Sequence, residues 1–142
     1  MDLYIDGEYL TNLLGDGLIL STPTGSTGYN MSASGSIVMT NADAFCLTPL
    51  APHSLSFRPL ILPSSAVIKV TKPKDGRSAA WVTLDGSYRF ELEEGEELTV
   101  KASNHNIGFV VDKSENLVSD WVAHIAKLNW NRRDKLKNMD EK

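Results

Sequence analysis

The sequence predicts a mainly β fold of stacked antiparallel sheets, with a short helix near its start and an amphipathic helix near its end. Three observations predict it. Short apolar runs recur along most of the chain, a turn signal separates nearly every neighbouring pair, and helical periodicity is confined to the last quarter. The 142 residues, 42% of them hydrophobic and 23% charged, have the composition of one ordinary globular domain. A chain of that size removes roughly 68–70% of its unfolded surface from water, so it needs neither disulfide nor metal to fold. Residues 1–130 are read as the domain and residues 131–142 as a charged tail.

Residues 3–5 and 9–14, joined by Asp6-Gly7, read as a hairpin at the very start. A chain that opens in strand pattern is expected to be a truncated product or a piece of a longer protein. Leu18-Ile19-Leu20 then lead into Thr22-Pro23-Thr24-Gly25-Ser26-Thr27-Gly28, a dense cluster of turn and capping residues. Residues 29–33 suit a short helix, for which Thr24, Ser26 and Thr27 are all competent N-caps.

Further strands are expected at residues 44–48, 60–62, 67–70, 80–84, 88–92, 98–100 and 107–111. The turn signals around them are Pro49, Pro52, Pro59, Pro63, Pro73, Asp75-Gly76, Asp85-Gly86 and Gly95. Asp85-Gly86 is the strongest hairpin signal, because that dipeptide readily supplies two residues with positive φ. Trp121, Ile125 and Leu128, with Val122 beside them, form a helical stripe for which Ser119 is the expected cap.

Charge excludes some functions. With 14 basic and 18 acidic residues the net charge is −4, so no global field draws the chain to nucleic acid or anionic membrane. Arg132, Arg133, Lys135 and Lys137 are interrupted by Asp134 and read as a solvated tail. The acidic run Glu91, Glu93-Glu94, Glu96-Glu97 reads as a solvated hairpin edge that discourages strand pairing between molecules. No apolar run approaches the roughly 20 residues of a membrane span, and the first residues lack a signal-peptide pattern.

Cys46 alone makes no internal bridge and suits a reducing compartment. Three scattered histidines and one cysteine give no metal-ligand spacing, so no protein-held metal is expected. On its own, His53 reads as a packed or capping histidine, and His124 as a surface or boundary residue. Trp81, Trp121 and Trp130 read as core and helix-packing residues, and Arg58 as a phosphate contact or one half of an ion pair.

The segment carrying chemistry is Gly15-Asp16-Gly17 with Thr22-Pro23-Thr24-Gly25-Ser26-Thr27-Gly28-Tyr29. Its glycines let a ligand approach the backbone, its hydroxyls supply donors and acceptors, and a helix start beyond it offers unpaired N–H groups. Together these suit an oxygen-rich ligand such as a phosphate or a ribose. A merely well-capped turn fits the same residues equally well. No lysine follows the glycines as in a P-loop, and Gly-x-Gly-x-x-Gly and Gly-x-Ser-x-Gly are both absent.

This segment resembles the NAD kinase signature, usually written Thr-Pro-Thr-Gly-Ser-Thr-Ala-Tyr. The resemblance continues through Leu47-Thr48-Pro49-Leu50-Ala51-Pro52-His53-Ser54-Leu55-Ser56-Phe57-Arg58-Pro59-Leu60 and Leu84-Asp85-Gly86 to Asp120-Trp121 and Trp130-Asn131-Arg132, the last typical of eukaryotic members. It implies the β-sandwich-like C-terminal domain of an enzyme that phosphorylates the 2′-hydroxyl of the adenosine ribose of NAD or NADH with ATP. Asp16 matches a position that contacts the dinucleotide, in some members from the neighbouring subunit. Thr24, Thr27, Gly28, Tyr29 and Ser32 match the loop and helix start lining the NAD pocket. Ala51 and His53 match a strand-end segment near the adenosine, and Asp85 a turn at the edge of the site.

The sequence departs from the family pattern in three ways. Gly28 stands for the usual Ala, Ser34-Gly35 for two glycines, and the N-terminal half with its Gly-Gly-Asp-Gly loop and Asn-Glu pair is missing. No catalytic residue is therefore expected in this chain, and by itself it is expected to be inactive. The resemblance further implies a homo-oligomer, a divalent metal (magnesium) that accompanies ATP without dedicated ligands here, and a cytoplasmic or mitochondrial parent protein. A non-catalytic module that binds a nucleotide or only pairs with related subunits is the competing reading.

Overall fold

In the computed structural model, residues 1–74, 78–108 and 116–128 are described. The chain divides into two compact units, Met1–Asn104 and His105–Lys142. The first contains, in chain order, β1 (Asp2–Ile5), β2 (Glu8–Asn12), β3 (Gly17–Ser21), the single-turn helix α1 (Tyr29–Ser32), β4 (Ala44–Leu50), β5 (Leu60–Pro63), β6 (Ile68–Thr71), β7 (Ala80–Leu84), β8 (Tyr88–Leu92) and β9 (Glu97–Val100). The second contains α2 (Leu117–Ala126). No helix among the described residues is long and apolar enough to cross a membrane.

The strands form three antiparallel sheets, ordered β2-β1-β6-β9, β3-β4-β5 and β7-β8. Both predicted Asp-Gly hairpins form. Asp6 and Gly7 take φ of 52° and 86°, Asp85 and Gly86 take 47° and 71°, and two consecutive positive φ angles match the right-handed twist of the flanking strands. Asp6 also ties the first hairpin to β6. Its carboxylate accepts the Val67 amide at 2.8 Å and its own amide donates to the Val67 carbonyl at 2.9 Å.

The first two sheets stack through period-two alternation. Phe45 and Leu47 of β4, with Leu18 and Leu20 of β3 and Leu60 and Leu62 of β5, pack against Ile68 of β6 and Val100 of β9. A neighbouring cluster of Leu3, Leu13 and Val70 is joined to it by Leu18 and Phe57, which touch both. Leu3, Leu47 and Ile68 are fully buried, which stabilises the fold by about 1.5–3 kcal/mol for each side chain. On β4 the alternate residues Cys46 and Thr48 are also fully buried, so the outer face of the three-stranded sheet is covered over β4, while Ile61 of β5, paired with Cys46 on that face, is 47% exposed.

Several expectations change. Pro49, read as a turn signal, lies inside β4 opposite Leu18. It is tolerated there because β5 pairs with β4 only as far as Leu47, so no ladder on that side needs its missing N–H. The strand expected at 107–111 is not formed at Ile107 and Gly108, where Ile107 is 84% exposed; residues 109–111 lie outside the described residues. The Asp75-Gly76 turn, Trp130 and the tail at 131–142 also lie outside them.

Helix α2 is capped by Asn116, not Ser119. The Asn116 side chain accepts the Val118 amide at 2.9 Å from extended backbone, which leaves Ser119 inside the first turn. Trp81, expected in the core, is half-exposed on β7, with the Arg89 guanidinium 4.3 Å above its ring. The acidic run is exposed as expected, and Glu97 on edge strand β9 pairs with Lys69 at 3.1 Å. His124 is exposed.

Candidate functional site

Strand β3 delivers the chain into the hydroxyl-rich loop. The Thr22 Oγ1 accepts the Gly25 amide at 3.2 Å and the Ser26 amide donates to the Pro23 carbonyl at 3.1 Å, which closes a 3₁₀ turn over Thr24–Thr27 directly before α1. Ser26 and Asn30, four residues apart, point inward and are 0% and 1% exposed. Thr24, Gly28, Tyr29 and Ser32 are exposed and Thr27 is half-buried. Within the described residues, the hydroxyls of Thr24, Thr27, Tyr29 and Ser32 make no hydrogen bond, so all four remain available to a ligand.

The expected capping is corrected. Neither the 3₁₀ turn nor α1 has a side-chain N-cap among Thr24, Ser26 and Thr27; Gly28 precedes α1 and its amide donates back to the Gly25 carbonyl at 3.0 Å. Helix α1 is a single turn, too short to sum many peptide dipoles, so what the loop offers an oxygen-rich group is its hydroxyls and not a helix end.

Buried polar groups hold the loop. The Asn30 amide nitrogen donates to the Ser26 carbonyl at 2.9 Å and the Ser36 carbonyl at 3.0 Å, while its oxygen accepts the Thr48 hydroxyl at 2.6 Å. Ser26 Oγ meets the Val38 backbone twice, donating to its carbonyl at 3.3 Å and accepting its amide at 3.0 Å. A β-carbon on Gly35 would run into the Asn30 amide group, which accounts for glycine there. Ser34, where many family members carry glycine, takes φ of 62°.

Asp16, Ala51 and His53 come together at a second place, where the chain entering β3 crosses the chain leaving β4. The Asp16 amide donates to the Leu50 carbonyl and the His53 amide to the Leu14 carbonyl, both at 2.9 Å. Ala51 takes φ of 42°, a left-handed backbone that costs a residue with a β-carbon roughly 1–2 kcal/mol. Asp16, Ala51 and His53 are all exposed. Thr48, which bonds Asn30, lies three residues before Ala51, about 10 Å along an extended strand. Asp85 is not brought to either place by strand pairing; it stands at the exposed tip of the separate β7-β8 hairpin.

A cavity of about 370 Å³ opens beside this crossing, between β2 and residues 52–60, with Leu10, Leu14, Phe57 and Leu60 as apolar wall and His53 and Arg58 among its polar lining. Of the predicted site residues only His53 reaches it. Arg58 forms no ion pair among the described residues; its guanidinium donates to the carbonyls of Leu55 and, at 3.4 Å, Phe57, so it braces its own loop. Behind the site, Cys46 is buried opposite Ser21, and burial pushes its thiol pKa up while the Ser21 hydroxyl partly opposes the shift.

Sequence reasoning missed Ser26, Asn30, Thr48 and Gly35 as a unit. The one local signal was the four-residue spacing of Ser26 and Asn30, which places both on one side of a helical turn; the partner Thr48 is 18 residues away and leaves no mark near the loop.

Residues 1–111 match the family model described as ATP-NAD kinase C-terminal domain. The chain is 41% identical over 138 residues to ATP-NADH kinase YEF1 of Saccharomyces cerevisiae, covering 96% of this chain and 27% of that protein. It is 42% identical over 134 residues to the chloroplastic NAD kinase 2 of Arabidopsis thaliana, covering 94% of this chain and 13% of that one. The chain thus spans about a quarter or less of the length of these curated relatives. Among solved structures it resembles yeast NADH kinase complexed with NADH, with TM-score 0.77 and 38% identity over 92% of this chain and 37% of that chain. It also resembles an NAD kinase from Archaeoglobus fulgidus in complex with ATP, with TM-score 0.64 and 31% identity over 72% of this chain and 39% of that chain.

Proposed function

The chain belongs to the ATP-NAD kinase C-terminal domain family, and on that premise we propose that it is the dinucleotide-binding part of an enzyme that phosphorylates the 2′-hydroxyl of the adenosine ribose of NAD or NADH with ATP. One observation carries this reading. Ser26 and Asn30 turn inward to hold the loop, while the hydroxyls of Thr24, Thr27, Tyr29 and Ser32, on the 3₁₀ turn and the helix that follows it, remain unbonded. An ordinary capped turn would use those hydroxyls to close itself.

In this reading Thr24, Thr27, Gly28, Tyr29 and Ser32 line the dinucleotide pocket, and Ala51 and His53 lie near the adenosine. Asp85 sits at the rim, and Asp16 contacts the dinucleotide within a homo-oligomer. The substrates are NAD(H) and ATP, and magnesium arrives with ATP. Neither nucleic acid nor membrane is a partner. Residues 131–142 are a charged tail beyond the domain, and the lone Cys46 suits a reducing compartment, the cytoplasm or the mitochondrial matrix.

Phosphoryl transfer rests on positioning both substrates and on neutralising charge at the transferred group. A chain that binds one substrate and does not position the other performs no turnover, so isolated chain mixed with NAD and ATP should form no NADP. Adding a separate N-terminal half carrying Gly-Gly-Asp-Gly should restore NADP formation. If the mixture stays at the level of either half alone while the chain still binds NAD, the chain is a nucleotide-binding module and not a kinase part.

A further inference from the structure

We infer that Thr48 and Asn30 are positioning residues for the dinucleotide site, joining the loop at residues 24–32 to the strand whose end carries Ala51 and His53. The inference rests on the reading given under Proposed function. Thr48 is 0% exposed and Asn30 1%, so neither side chain is available to a bound dinucleotide. What they offer instead is a link. The Asn30 side chain uses both donors and its acceptor on three separate segments: the Ser26 carbonyl at 2.9 Å inside the 3₁₀ turn, the Ser36 carbonyl at 3.0 Å beyond α1, and the Thr48 hydroxyl at 2.6 Å on β4.

The arrangement reaches further than a local cap. The 3₁₀ turn and α1 are four residues each, too short to hold a shape unaided. Thr48 lies opposite Ile19 in the β3-β4 ladder, in the middle of the strand pair whose far end makes the Asp16 crossing. Through this bond the exposed hydroxyls of the loop are registered against the Ala51–His53 end of β4. Gly35 supports the same conclusion, since any β-carbon there would collide with the Asn30 amide. The chain therefore keeps its backbone clear for a side chain that does not touch the surface.

Buried polar links of this kind act as a unit, and removing one partner leaves the other unsatisfied. Thr48→Val keeps the shape and suits a strand, yet deletes the hydroxyl and strands the Asn30 oxygen. Thr48→Ser keeps the hydroxyl and deletes only a methyl group.

The experiment is calorimetric titration of NAD into the wild-type chain and both variants, with circular dichroism to establish that each is folded and amide exchange to follow α1. Thr48→Val is expected to bind NAD about tenfold more weakly and to exchange faster at Asn30 to Gly35. Thr48→Ser should bind as wild type does, a rescue that packing alone would not produce. Equal affinity for all three proteins, or equal weakening in both variants, overturns the inference while leaving the NAD-binding reading intact. A wild-type chain that does not bind NAD overturns that reading instead. The link is then judged by exchange, and an α1 in Thr48→Val as protected as in wild type sinks it too.

Discussion

A β-carbon on Gly15 would lie 2.7 Å from the Leu50 carbonyl oxygen and 3.1 Å from that of Ala51, so the two segments that carry Asp16 and Ala51 meet where only glycine fits. Both obstructing atoms are backbone and cannot rotate aside. Gly15→Ala is therefore expected to push the segments apart, lengthen the Asp16 to Leu50 hydrogen bond and destabilise the fold by about 1–3 kcal/mol. Urea unfolding measures the loss; an unchanged midpoint would mean the crossing is looser than described.

Ser34 holds φ of 62° directly after α1, a conformation in which a β-carbon crowds the backbone. Ser34→Gly relieves that crowding, partly offset by the greater freedom glycine gives the unfolded chain. The expected net effect is a gain of about 0.5–1 kcal/mol, read as a higher urea midpoint with unchanged slope. A loss of stability would show that the serine makes up for its backbone in some other way.

Tyr29 is 67% exposed and its hydroxyl makes no hydrogen bond within the described residues. Tyr29→Ala should thus change stability by less than about 0.5 kcal/mol. If the ring lines the dinucleotide pocket, the same substitution weakens NAD binding roughly tenfold. Calorimetry and urea unfolding on one preparation separate the two effects, and unaltered affinity would remove Tyr29 from the site.

Cys46 is 1% exposed, and burial raises its thiol pKa. Because the folded pKa lies above the unfolded one, the neutral thiol favours the folded state. That contribution is whole below the ordinary thiol range near about pH 8.5 and fades as pH rises past it. Wild type should lose more stability than Cys46→Ala between about pH 7 and pH 10, compared by urea midpoints. Equal losses would mean that the thiol titrates as freely in the folded chain as in the unfolded one.

Much of the fold was legible because its determinants are local. Asp6-Gly7 and Asp85-Gly86 announce their turns through the φ angles those residues tolerate, and the strands at 80–84 and 88–92 formed between the residues their patterning indicated. Pro49 misled for the same reason. Its usual meaning as a turn signal is local, whereas its place inside β4 depends on where β5 stops, which no nearby residue encodes. Ser119 likewise looked like a cap until the helix was seen to begin earlier, at the extended Asn116.

By itself the sequence determined the β class, the hairpins and the hydroxyl-rich loop with its family signature, since residue type and spacing carry that information directly. The tertiary structure alone decided which polar groups of the loop face inward and which keep an unbonded hydroxyl. Ser26 and Thr27 are neighbours of similar chemistry. They part because Ser26 finds Val38 and Asn30 finds Thr48, 12 and 18 residues further along the chain. Burying a polar side chain is favourable only where a partner waits for it, and which partner waits is settled by the packing of strands distant in sequence.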